Sequence, residues 1–167
     1  PLVEHGYQVF MIDFRGYGKS GGKPTHLNIA DDGQEVLDYL LGRADVKGTK
    51  MLLFGASIGT QVATRLAREN RDKIQALLLD GAFSPFTDLP AAYAPAEQQA
   101  MIKQYLTSPY AAKTDITFVK VPVLIVHSKE DKEVPFTQAE VVYNAAPAQK
   151  ELYIYSGAHL AAMKVNA

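Results

Sequence analysis

The sequence predicts an α/β fold: a mostly parallel sheet flanked by helices, interrupted by one short cap-like insertion. Three observations carry this. Short apolar runs rich in β-forming residues alternate with longer stretches of helical period, the pattern of parallel strands joined by crossover helices. A length of 167 residues suffices for one domain with a substantial core, so residues 1–167 are read as a single domain. Hydrophobic residues make up 47% of the chain against 21% charged, a globular balance that argues against disorder.

The first apolar run, residues 7–13, reads as a strand. Ile29, Gly33, Val36, Leu37, Leu40 and Leu41 then fall on one helical face, with Asn28 placed to cap the start and Gly42 the end. Residues 51–55 form the second strand, and Ile58, Val62, Ala63, Leu66 and Ala67 repeat the helical spacing behind it. Ala76–Asp80 is the third strand. The segment 83–115 is longer than the loops that usually join such elements and is rich in Ala, Pro and aromatic residues. It is an insertion with a helix near 96–106, and it reads either as a lid or pocket wall or as a plain surface excursion. A strand at 121–127, a helix at 137–146 and a strand at 151–155 complete the order.

Composition excludes several functions. Seventeen Lys and Arg against 18 Asp and Glu leave a formal charge of -1 with no long run of like charge, so neither a nucleic-acid footprint nor an anionic-membrane patch is expected. Cysteine is absent, which removes disulfides, thiolate zinc sites and a Cys nucleophile. No apolar stretch approaches the roughly 20 residues that span a bilayer, and the opening residues, Pro1 to Gly6, do not read as a secretory signal. The compartment stays open, with the cytoplasm only weakly favoured.

Phe54-Gly55-Ala56-Ser57-Ile58-Gly59 carries the pattern G-x-S-x-G directly between a strand and a helix. The chemistry explains the spacing. A hydroxyl nucleophile must stand clear of the backbone on a sharp turn, and glycines two before and two after it relieve crowding between strand and helix. The Ile58 N–H then opens the helix and points where an oxyanion would form.

Further blocks stand in order around this one. Asp13-Phe14-Arg15-Gly16-Tyr17-Gly18-Lys19-Ser20 follows the first strand, His127-Ser128-Lys129-Glu130-Asp131-Lys132-Glu133-Val134-Pro135 the fourth, and Ser156-Gly157-Ala158-His159 the last. With the Ser57 turn they resemble the α/β-hydrolases, in the serine-hydrolase branch of Bem46-like proteins and S33-type peptidases. The resemblance implies a serine hydrolase that cleaves an ester, thioester or amide bond of a small acyl substrate without a cofactor. It assigns Ser57 as nucleophile, His159 as general base, Asp131 as the carboxylate that orients it, and Ile58 N–H as an oxyanion donor. All three side chains follow predicted strands and so belong at one edge of a parallel sheet.

Other residues compete for these roles. His5 reads as a surface residue and His26 as a turn or cap residue, while His127 sits where the resemblance implies a residue that shapes the loop. Asp80, at the end of the third strand, is the runner-up for the acid. Asp13 is read as a structural partner of Arg15 or a cap. Gly16-Tyr17-Gly18-Lys19-Ser20-Gly21 satisfies G-x-G-x-x-G after a strand, but residues 22–26 separate it from the next helix, so no helix N-terminus is ready for a pyrophosphate. No His and carboxylate cluster stands at metal-ligand spacing.

The resemblance also lacks counterparts for the family's first three strands and for its Gly-rich turn that supplies a second oxyanion donor. In that family a strand lies between the counterparts of 7–13 and 51–55. Three outcomes are open: a fragment of a longer hydrolase, which the sequence favours; a rearranged five-strand sheet; or strands supplied by a partner. An exposed sheet edge would invite self-association. The rival functions are a non-catalytic module that binds or dimerises, and a nucleotide-binding protein using 16–21.

Overall fold

The computed structural model describes residues 2–147 and 149–165; Pro1, where the reading for a leader began, lies outside them. Its sheet has four strands, β1 (Leu52–Ala56), β2 (Ala76–Asp80), β3 (Val123–Ser128) and β4 (Lys150–Tyr155), all parallel and in the order β1-β2-β3-β4. Helix α1 (Ile29–Gly42) precedes β1, and α2 (Ile58–Glu69) crosses from β1 to β2. Between β2 and β3 lie α3 (Asp88–Tyr93), α4 (Ala96–Tyr105) and α5 (Ala112–Asp115), followed by a 3-10 turn at Ile116–Phe118. Helix α6 (Phe136–Ala145) joins β3 to β4, and α7 (Ala162–Val165) follows β4.

Register sets which side chains share a face, because a strand alternates its side chains between the two. Leu53, Leu77 and Val123 stand abreast, as do Gly55, Leu79 and Ile125. This face packs against Ala63 and Ala67 of α2 and Ala139 and Val142 of α6 in one buried cluster. On the opposite face Phe54, Leu78 and Leu124 stand abreast, yet Phe54 is 48% exposed and the two leucines are half-buried. Parallel sheets are normally covered on both sides. Among the described residues the second side is left partly open.

Residues 7–13 form no strand, contrary to the expectation from their β-forming composition. They run along the surface without a ladder partner among the described residues, and Met11 is 85% exposed. A strand exists only through the N–H and C=O groups of a neighbour, and no described segment lies in register beside this one. The five-strand rearrangement is therefore not adopted.

Helix α1 reaches α2 closely because Gly33 lacks a side chain: a Cβ there would lie 2.7 Å from Val62 Cγ1. Ile29, Ala30 and Leu37 pack with Val62, Leu66, Ile74 and Tyr110 in a second buried cluster. Asn28 does not cap α1 with its side chain. Its Oδ1 accepts the Thr25 N–H at 2.9 Å, closing the turn before the helix. Arg15 pairs with Asp32 on the first turn of α1 rather than with Asp13. Asp13 instead accepts the Lys19 N–H at 3.2 Å, bracing the glycine-rich turn.

The two faces predict different mutational costs. Leu79→Ala, which opens the packed face, is expected to lower urea-unfolding stability by about 2–5 kcal/mol. Phe54→Ala on the open face is expected to cost less than about 1.5 kcal/mol. Equal losses for both would show that the second face is covered in solution.

Candidate active site

The backbone delivers Ser57 to the end of the sheet in an unusual conformation. Ser57 has φ 49° and ψ -119°, and α2 begins at the next residue. Its N–H donates to the Asp80 carbonyl at 2.8 Å, which extends the β1–β2 pairing by one step and fixes the turn to the carboxyl edge of β2. The first glycine of the motif is sterically required, because a Cβ at Gly55 would lie 2.4 Å from the Gly59 carbonyl oxygen. A Cβ at Gly59 would meet no atom within 4 Å outside its own helix, so crowding enforces only one of the two glycines. Ile58 is the first residue of α2, and its N–H is among the first-turn donors that have no carbonyl four residues back within the helix.

His159 and Asp131 meet at the same edge. His159 Nδ1 lies 2.6 Å from Asp131 Oδ2. The His159 ring covers Gly81, where a Cβ would lie 2.6 Å from its Cε1, so the residue after Asp80 must be this small. Ser57 is thus bonded to the Asp80 peptide and His159 stacked on the adjoining residue. Among the described residues Ser57 Oγ makes no hydrogen bond, and none joins it to His159.

Asp131 is almost wholly buried, and burial alone would push its carboxyl upward. The Val134 N–H, His159 and the Glu133 N–H overcome that and hold it below the usual carboxylate range. Both N–H groups donate to Oδ1 at 2.9 Å, leaving Oδ2 for His159. Asp80, the runner-up acid, does not bond to His159. Burial raises its carboxyl, the field of Asp131 adds to the rise, His159 offsets part of it, and Oδ1 has no hydrogen-bond partner.

The other histidines fall outside this pairing. His127 is fully buried, with Nε2 2.9 Å from the Val134 carbonyl and 3.5 Å from Asp131 Oδ2; burial lowers its pKa and keeps the ring neutral. His26 Nε2 bonds to the Thr107 carbonyl at 2.7 Å, tying its loop to the insertion, and His5 lies exposed in a 3-10 turn. An open hollow of about 540 Å³ lies elsewhere, between the glycine-rich turn and α1, lined by Asp13, Arg15, Asp32, Glu35 and Tyr39. Among the described residues no cluster of His and carboxylates is placed to hold a metal, and no helix is long and apolar enough to cross a membrane.

Residues that sequence reasoning passed over hold these loops. Ser128 Oγ donates to the Gly157 carbonyl at 2.6 Å and accepts the Glu130 N–H at 3.0 Å, joining the Asp131 turn to the His159 loop. Tyr155 OH accepts the Ala161 N–H at 3.0 Å from beyond His159. Gln61, fully buried on α2, donates to the Phe83 and Ser84 carbonyls and accepts the Ala112 N–H, so it clasps both ends of the insertion. A glutamine on a face of small and apolar residues was the one available signal for it.

Known proteins resemble this chain in sequence and in fold. A family model described as the alpha/beta hydrolase fold matches residues 1–113. The Escherichia coli protein YfhR is 31% identical over 161 residues, covering 95% of this chain and 55% of that protein. Protein bem46 of Schizosaccharomyces pombe is 32% identical over 146 residues, covering 87% of this chain and 48% of that one. The chain spans about half the length of the curated relatives it matches. Among solved structures, the Pyrococcus furiosus esterase Pf2001 superposes with a TM-score of 0.75 at 21% identity, covering 98% of this chain and 66% of that one. A Paleococcus ferrophilus monoacylglycerol lipase gives 0.61 at 21% identity, covering 88% and 73%.

The two buried carboxylates at this edge, Asp80 and Asp131, titrate in opposite senses. Asp80, raised on folding, disfavours the native state once the pH climbs past the ordinary carboxylate value of about 3.9, whereas Asp131, lowered, supports it there and loses that support as the pH falls through its folded value. Asp80→Asn is therefore expected to raise the melting temperature at about pH 7 and leave it unchanged near pH 3. A melting temperature lowered at neutral pH would contradict the assigned direction.

Proposed function

The chain belongs to the alpha/beta hydrolase family, and on that premise we propose that it is a serine hydrolase cleaving an ester, thioester or amide bond of a small acyl substrate through an acyl-enzyme. The observation that supports this most is the 2.6 Å contact of His159 Nδ1 with Asp131 Oδ2 at the sheet edge that also carries Ser57. An ionised carboxylate can only accept, so the hydrogen of that bond belongs to Nδ1, and Nε2 of the neutral ring keeps its lone pair.

The chemistry follows from that tautomer. Nε2 takes the proton of Ser57 Oγ as the oxygen attacks the substrate carbonyl carbon, and the imidazolium that forms is stabilised by Asp131. Negative charge gathers on the former carbonyl oxygen, where the Ile58 N–H and the positive end of α2 oppose it. The imidazolium then gives its proton to the leaving group. A water molecule repeats the cycle on the acyl-enzyme and restores Ser57. The hydroxyl–imidazole bond of such sites commonly tightens only when substrate is bound. Pf2001 and the Paleococcus enzyme are named as an esterase and a lipase, which makes carboxylic esters the first class to try.

A fluorophosphonate probe is expected to label the wild-type chain and not Ser57→Ala. On p-nitrophenyl esters, His159→Ala and Asp131→Asn are expected to lower kcat/KM by about 10⁴-fold. Equal labelling of wild type and Ser57→Ala would reject the assignment.

A second reading, a non-catalytic module that binds or self-associates, is favoured by the partly open face around Phe54, Leu78 and Leu124 and by the outer edge of β1, which no strand among the described residues pairs. It predicts a molar mass by light scattering that rises with concentration while ester hydrolysis is undetectable. A constant monomer mass together with hydrolysis abolished by His159→Ala removes it.

A further inference from the structure

The insertion between β2 and β3 reaches the Asp131 turn through a hydroxyl. Tyr93 ends α3, and although the residue is 59% exposed its OH lies 2.7 Å from the Lys132 carbonyl and 2.8 Å from the Glu133 carbonyl. These two acceptors are the far ends of particular peptide groups. The Lys132 carbonyl shares its peptide with the Glu133 N–H, and the Glu133 carbonyl shares its own with the Val134 N–H. Those are the two N–H groups that donate to Asp131 Oδ1. In a trans peptide the C=O and N–H point in opposite directions, so Tyr93 stands behind the cradle and the carboxylate in front. A carbonyl that accepts a hydrogen bond polarises its peptide and makes the N–H on the other side a stronger donor. The single hydroxyl proton is shared between the two carbonyls or alternates between them.

The hydroxyl joins parts of the molecule that are held very differently. Asp131 and Val134 are buried in the turn after β3. Helix α4 has no buried residue and rests chiefly on α3, with Tyr105 75% exposed, whereas α3 buries Ala91 and accepts the Ser84 hydroxyl through Asp88, so α4 is the less firmly held of the two. The titratable groups that face Asp131, namely His159, His127, Asp80 and Tyr155, come from the loop after β4 and from β3, β2 and β4.

We propose that Tyr93 is a positioning residue for Asp131: its hydroxyl braces from behind the two peptide groups that hold the carboxylate, so the seating of α3 and α4 governs how firmly Asp131 is presented to His159. The consequence for catalysis rests on the serine-hydrolase reading; the brace itself does not.

Tyr93→Phe in the full chain removes only the hydroxyl. Residue-resolved amide hydrogen exchange is expected to accelerate about three- to tenfold at Glu133 and Val134, with the β2 and β3 amides unchanged. The low-field proton resonance of His159 Nδ1 is expected to shift or exchange faster, a readout that mere packing of α3 would not move. Unchanged exchange at Glu133 and Val134 overturns the brace, as does uniform acceleration through the sheet, which marks general loss of stability. An unchanged His159 resonance overturns the positioning role even where exchange has changed. None of these measurements requires turnover, so a wild-type chain that fails to react with fluorophosphonate sinks the hydrolase reading while exchange still decides the brace. Where labelling occurs, Tyr93→Phe is expected to slow it more at about pH 5 than at about pH 8, because a weaker cradle lets Asp131 take up a proton at higher pH. Equal slowing at both pH values counts against the coupling.

Discussion

The hydrogen bond from Ser57 N–H to the Asp80 carbonyl is the contact on which the arrangement of the candidate site depends. It adds one step beyond the Ala56–Asp80 pair and so holds a turn of unfavourable φ against the end of β2. A positive φ at a non-glycine residue costs on the order of 1–3 kcal/mol and persists only where its surroundings determine it. Here the surroundings are a ladder on one side and the first turn of α2 on the other, with Gly55 and the Gly59 carbonyl in near contact between them. The same β2 terminus provides Gly81, the floor under His159.

Charge at this edge is managed by unequal solvation of two neighbouring carboxylates. Asp131 has backbone N–H groups and an imidazole, whereas Asp80 has burial, the repulsion of Asp131 and an oxygen without a partner. Two ionised carboxylates side by side in a poorly solvated place repel, so the one with donors stays ionised and the other is driven toward its neutral form. His127, neutral because it is buried, adds no competing positive charge.

Directional hydrogen bonds tie the insertion and the loops to this edge, beside apolar anchors such as Phe83, Tyr110 and Ala112. Gln61 holds the Phe83, Ser84 and Ala112 backbones, Gln138 accepts from Ser84, and Ser128 bridges to Gly157. Buried polar clasps of this kind are directional and fix loop position more sharply than an equal area of apolar packing. By contrast, α4 lies almost entirely on the surface.

Local periodicity was enough to read four strands, the helices at α1, α2, α4 and α6, and the strand–Ser57–helix turn, because those signals lie within a few residues of one another. The resemblance implied Ser57, Asp131 and His159, and their lying at one edge was legible for a topological reason: parallel strands place their carboxyl ends together, so residues just beyond them converge. Residues 7–13 have the composition of a strand and form none, since pairing needs a neighbour that local sequence cannot supply. The choice of Asp131 over Asp80 as the partner of His159, the exchange of Asp13 for Asp32 at Arg15, and the clasp by Gln61 were likewise settled only in three dimensions. Each depends on which groups folding brings within about 3 Å, a distance that bears no relation to their spacing along the chain.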